Sequence, residues 1–99
     1  MKSMATIIYQ LQTALKIKGF IVTINTNQFY SAEQDRFIKM YIIKRNKREI
    51  QSSASQVATI RCLKYILDIV SELEKSSVPQ SEWDAAVQEN LSGQSFTYK

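Results

Sequence analysis

Residues 53–75 contain no glycine and no proline. An unbroken run of that length exceeds the mean globular helix of about 11–12 residues. At 100° per residue, Arg61, Lys64, Asp68, Ser71, Glu72 and Lys75 fall on one narrow polar strip. Ile60, Cys62, Leu63, Tyr65, Ile66, Leu67, Ile69, Val70 and Leu73 occupy most of the remaining surface. A helix lying on one side of a small domain needs an apolar stripe only about 100° wide. This arc is much wider, so the rest of the chain must cover the helix from two directions.

The material for that cover is limited. The 99 residues make a single domain, 1–99, and at 44% hydrophobic and 22% charged they can bury one modest core. Residues 6–18 read as a first helix, because Ile7, Ile8, Leu11, Ala14 and Leu15 recur at helical spacing. Ser3 or Thr6 can cap its start, and Gly19 suits the left-handed position past its end. Residues 20–26 read as a strand with Phe20, Val22, Ile24 and Thr26 on one face. Residues 27–35 are polar and read as a connector, with Phe29 and Tyr30 able to extend the strand.

Residues 36–45 read as a second strand. Its even positions, Ile38, Met40 and Ile42, are expected to face the core. The connector is too short for a crossover, so the two strands should pair as an antiparallel hairpin. Residues 49–51 are expected as a short third strand, followed by serines that can cap the long helix. Ser76, Ser77 and Pro79 end that helix. Ser81 with Asp84 resembles a capping box opening a last helix at 82–91, with Trp83, Val87 and Leu91 on its apolar side. Residues 94–99 are expected to be a flexible tail unless Phe96 and Tyr98 dock. The expected fold class is α+β: an N-terminal helix, a small antiparallel sheet of two or three strands, a long helix and a short C-terminal helix.

The chemistry is defined mostly by exclusion. The chain has no histidine, which removes the commonest general base, the usual triads and most zinc sites. Cys62 is the single cysteine and lies in the apolar arc, where it reads as a small buried hydrophobe. A lone cysteine also fits a reducing, cytoplasmic setting. Gly19 and Gly93, the only glycines, stand at helix ends and not in a phosphate-cradling loop. Glu33 and Asp35 read as solvated loop residues, and Asp68 and Glu72 as surface partners of Lys64 and Lys75. Asp35, Glu49 and Gln51 have only a generic resemblance to a metal-nuclease set. No catalytic residue, metal site, cofactor or small-molecule substrate is expected. No apolar run nears the ~20 residues that span a bilayer, and the first four residues lead into no signal-peptide core.

Charge is unevenly placed. Residues 1–48 hold nine Lys/Arg against two acids, a balance of +7; residues 49–99 hold four against seven, a balance of −3, which together give the chain's +4. Four of the five residues at 44–48 are cationic: Lys44, Arg45, Lys47 and Arg48. With Lys39 they are the expected contacts to an anionic partner such as nucleic acid. Phe37, Tyr41 and Ile43, on the outer side of the second strand, and Trp83, in the last helix, are the expected protein-contact residues. Apolar surface left over on the long helix is a further place for a partner or a second copy.

The order of elements resembles that of small accessory proteins of phages and mobile elements. Among these are type II anti-CRISPR inhibitors with a helix, a small antiparallel sheet and two helices. That resemblance is one of architecture, and no residue motif carries it. It implies a small non-enzymatic protein that acts by contact, as an inhibitor or accessory factor. One such inhibitor is acidic and imitates DNA, whereas the hairpin here is basic. The two readings are therefore contact with another protein or a second copy, and a basic hairpin turn set against phosphates.

Overall fold

Ser3 starts the first helix by accepting a hydrogen bond from the Thr6 amide at 3.1 Å. The structure, a computed structural model, describes residues 2–96, so the expected docking of Tyr98 lies outside the described residues. Helix α1 covers Met4–Ile17 and buries Ile8 and Leu15. It ends at Gly19, whose φ is +91°. The Gly19 amide reaches the Lys16 carbonyl and the Phe20 amide reaches the Leu15 carbonyl, both at 2.9 Å. This double closure satisfies two end carbonyls and turns the chain sharply.

The turn sends Phe20 and Val22 into the core, each 1% exposed. Gln12 of α1 holds this segment by donating to the Val22 carbonyl at 3.0 Å. The strand expected at 20–26 therefore begins later, because residues 20–22 pack against helices before any ladder forms. Strand β1 covers Thr23–Ser31 and takes in most of the stretch expected to be a polar connector. Strand β2, Arg36–Arg45, pairs with it residue for residue, and only residues 32–35 remain as a turn. Strand β3, Arg48–Ser53, pairs antiparallel with β2 and is longer than the three residues expected. The strand order is β1-β2-β3. Asn46 and Lys47 link β2 to β3 with φ of +51° and +68°. Two left-handed residues in a two-residue hairpin loop make a type I′ turn.

The core face of β2 is the odd row, contrary to expectation. Ile43 is fully buried and pairs with Ile24, while Ile38, Met40 and Ile42 lie half-buried on the other side of the sheet. Helix α2, Gln56–Lys75, packs on β3 and β2 and so selects the face that is covered. Both rows of β2 are apolar, and their alternation alone could not choose between them.

Helix α2 is covered from two sides. Ser55 caps it by accepting from the Ala58 amide at 3.1 Å. Ala58, Thr59, Cys62, Leu63, Ile66 and Val70 are buried. Thr59 is the one buried polar residue of the described core, and its hydroxyl donates to the Ser55 carbonyl at 2.9 Å. Helix α1 packs along one flank. Helix α3, Trp83–Leu91, and the following segment pack on the other, with the Phe96 ring 5.6 Å from that of Tyr65. Residues 94–96 are thus tied down by Phe96, which is 9% exposed.

Helix α2 ends as α1 does, but Ser77 takes the left-handed position, at φ +57°. Its amide bonds to Glu74 and that of Val78 to Leu73. A single 3₁₀ turn, Gln80–Glu82, then leads into α3. Ser81 does not form the expected capping box: it lies within that turn, and α3 begins without a side-chain cap. Asp84 turns instead to Arg45.

The body occupies one end of the sheet. Residues 25–30 are exposed, whichever face they point to. The molecule measures 50 × 31 × 27 Å, and its radius of gyration of 14.4 Å exceeds the roughly 13 Å of a compact 100-residue domain.

The two helix ends give opposite expectations. A Cβ at Gly19 would sit 2.5 Å from Nε2 of Gln80, which donates to the Lys18 carbonyl. Gly19→Ala should lower unfolding free energy by roughly 1–2 kcal/mol through left-handed strain and loss of that bond. Ser77→Gly should raise it by up to about 1 kcal/mol. Urea denaturation of the two variants against the parent measures both.

Candidate contact surface on the hairpin

The residues expected to meet anions are divided by the fold. Lys47 and Arg48 are exposed at the β2–β3 turn. Lys44 is half-buried and lies opposite Glu49 across the ladder, a favourable pair. Arg45 is engaged within the body. Its Nη2 donates to Asp84 Oδ2 at 3.3 Å and its Nε to Oδ1, while Nη1 donates to the Ile21 carbonyl at 2.9 Å. Its guanidinium lies 4.0 Å from the centre of the Phe20 ring. The ladder places Arg45 directly opposite Arg48, an unfavourable pairing, and Asp84 supplies the opposing charge. Arg45 thus fastens α3 to the sheet and is not free to meet a partner.

Lys39 is exposed near the other end of β2, with its ammonium 5.6 Å from the Tyr41 ring centre. The eight-residue span from Phe37 to Arg45 is about 26 Å at the rise of a strand. The basic turn and the exposed aromatic residues therefore do not share one patch.

The expected protein-contact residues divide as well. Ile43 is fully buried and Trp83 is 4% exposed, with its indole donating to the Val78 carbonyl at 2.9 Å. Both belong to the core and cannot be contact residues in this fold. Tyr41 is half-buried. Phe37 is 67% exposed and remains a candidate. The leftover apolar edge expected on α2 is also closed. Ile60, Leu67, Ile69 and Leu73 pack against the core, and among the large apolar residues of the helix only Val57 is exposed.

Met4, Tyr9, Ile17 and Ile21 are exposed singly on and after α1, and a cluster of exposed aromatic residues lies at the far end of the β1–β2 hairpin. Tyr30 and Phe37 are opposite one another in the register, and their rings meet edge to face at 5.5 Å. Tyr30 is 51% exposed. Phe29, also exposed, pairs with Ile38 on the reverse face. The Tyr30 hydroxyl donates to the Asp35 carboxylate, which raises its pKa above the ordinary value and fixes the ring over the turn. The sequence named Phe29 and Tyr30 only as a strand extension. Their signal was alternation across a polar stretch, which marks a strand but not its exposure.

Nothing else in the described chain gathers reactive groups. No three Cys, Asp or Glu residues converge in a way that could hold a metal ion. Asp35 and Glu49 sit at opposite ends of β2, so the generic nuclease set does not assemble. A groove of about 540 Å³ lies between the β2–β3 turn and α3, floored by Phe20, Ile50, Val87 and Leu91. Among the described residues no helix is long and apolar enough to cross a membrane. Comparisons with protein-family models, curated proteins and solved structures found no match.

Cys62 is fully buried, and burial pushes its thiol up from 9.0 to about 12. The folded state thus favours the protonated thiol. The stabilisation is fully present below the unfolded pKa near 9 and is lost as pH rises through that value towards 12. The stability difference between the parent and Cys62→Ala should accordingly shrink as pH rises from about 8 to 11. Paired urea titrations at each pH measure it, and thiol-reagent labelling at pH 8 should proceed no faster than unfolding.

Proposed function

We propose that this chain is a non-catalytic contact protein that presents the end of the β1–β2 hairpin to another protein. The observation that carries the reading is the exposed group Phe29, Tyr30 and Phe37, on a hairpin that the helices leave open on both faces. Aromatic residues are the usual anchors of protein interfaces because each contributes large buried area with few rotatable bonds. A monomer gains nothing in its own core from leaving three such rings in water.

Charge favours a protein over nucleic acid as the partner. Residues 27–41 hold Arg36 and Lys39 against Glu33 and Asp35, a balance of zero. A phosphate-tracking surface needs a positive field. Other exposed cations, Lys16, Lys47, Arg48 and Lys64 among them, lie elsewhere on the chain. The inhibitory or accessory role implied by the architectural resemblance is one form that such contact would take.

A photo-crosslinking residue at position 37 tests the reading in the native cell. It should yield one dominant protein adduct, and Phe29→Ser with Tyr30→Ser should reduce that adduct at least tenfold in a chain that stays folded. An adduct pattern equal to that from exposed position 88 in α3, or adducts to nucleic acid alone, would overturn it.

A further inference from the structure

Among the described residues the outer edge of β1 has no neighbouring strand. In the order β1-β2-β3 the strand pairs only with β2. Its register with β2 runs from Thr23 to Ser31 without a shift, so no bulge twists the edge away. The opposite edge strand, β3, is shorter, carries the register irregularity at Ile43/Lys44 and is flanked by α2.

Exposed edges are normally blocked against pairing by charged side chains, proline or a bulge. The sequence of β1, TINTNQFYS, has no charge and no proline. It lies in a chain with 13 basic and 9 acidic residues. An edge of nine residues with none of these devices is open to strand addition.

We propose that β1 pairs antiparallel with β1 of a second copy, joining the two sheets into one of six strands about a twofold axis at Asn27. Self-pairing suits this strand in particular. The twofold axis sets Tyr30 beside Ile24 of the second copy and Gln28 beside Thr26 of the second copy on one face. On the other it sets Phe29 beside Asn25 of the second copy. Aromatic residues beside β-branched ones stabilise a ladder, and no like charges meet.

The nearest cations stand one strand inward: Arg36 beside Ser31, Lys39 beside Gln28 and Lys44 beside Thr23. Across the joined sheet, Arg36 and Lys44 of the second copy are three strand spacings apart, about 14 Å. That exceeds the screening length of about 8–10 Å at ordinary salt. The net charge of +4 therefore does not oppose the pairing strongly. The two hairpin turns point to opposite ends of the assembly, leaving Phe37 of each copy open. The pairing does not depend on the partner proposed above.

Sedimentation velocity from about 1 to 500 µM at ordinary salt tests the pairing. The parent should pass from monomer to dimer, and Asn27→Lys should weaken association at least tenfold by placing two lysines side by side at the axis. Asn27 is exposed, and far-UV circular dichroism should match the parent. If that variant fails to fold, Gln28→Lys on the opposite face should weaken association instead. Amides of residues 23–31 should also exchange more slowly at high concentration. A parent that stays monomeric throughout, pairing only with a foreign strand, would overturn the proposal. So would a dimer unaffected by a folded edge-lysine variant. Asn27→Lys should leave crosslinking at position 37 intact, and Phe37→Ser should leave the dimer intact, so the two proposals fail separately.

Discussion

The structure depends on the burial of α2. Its apolar arc is too wide for one neighbour, and both other helices are committed to it. Leu63, Ile66 and Val70 have no exposed surface, and burying each such side chain contributes roughly 1.5–3 kcal/mol. Helix α1 takes one flank, and α3 with Phe96 the other. The sheet receives what cover remains, at the end where Val22 and Ile43 enter the core. The far end of the hairpin receives none. Its exposure follows from the shortage of apolar cover in a small chain, and its exposed aromatic residues become significant for that reason.

Two local devices join sheet and helices. The Gly19 turn reverses the chain after α1 and drives Phe20 inward. Arg45 then stacks on Phe20, bonds to the Ile21 carbonyl and pairs with Asp84 of α3. A cation that reads as a solvated charge within a basic run is thus a strut between β2 and α3. On the sheet the exposed positive charge is smaller than the basic run suggests: Lys47 and Arg48 at one end, and Lys39 and Arg36 towards the other.

Much of this fold was legible in the sequence. The periodicity of 53–75, the Gly19 stop and the second strand at 36–45 follow from local spacing and turn chemistry. What was not legible depended on which face the helices chose. Ile43 and Ile42 are equally apolar, and only packing on α2 made the odd row the core. Residues 27–31 looked like a connector because their side chains are polar, but backbone pairing with β2 does not require apolar side chains. Trp83 could have been a contact or a core residue, and its indole bond to Val78 decided the matter.

The central claim is that the aromatic end of the hairpin is retained for contact and not for folding. A protease-resistance scan of serine substitutions across the chain tests it most directly. The account predicts that Phe29→Ser, Tyr30→Ser and Phe37→Ser each change stability by less than about 1 kcal/mol, as surface substitutions do. Ile43→Ser and Leu63→Ser should cost more than about 3 kcal/mol. If serine at the three aromatic positions destabilises the chain as much as serine in the core, those rings hold the fold together and the account is wrong.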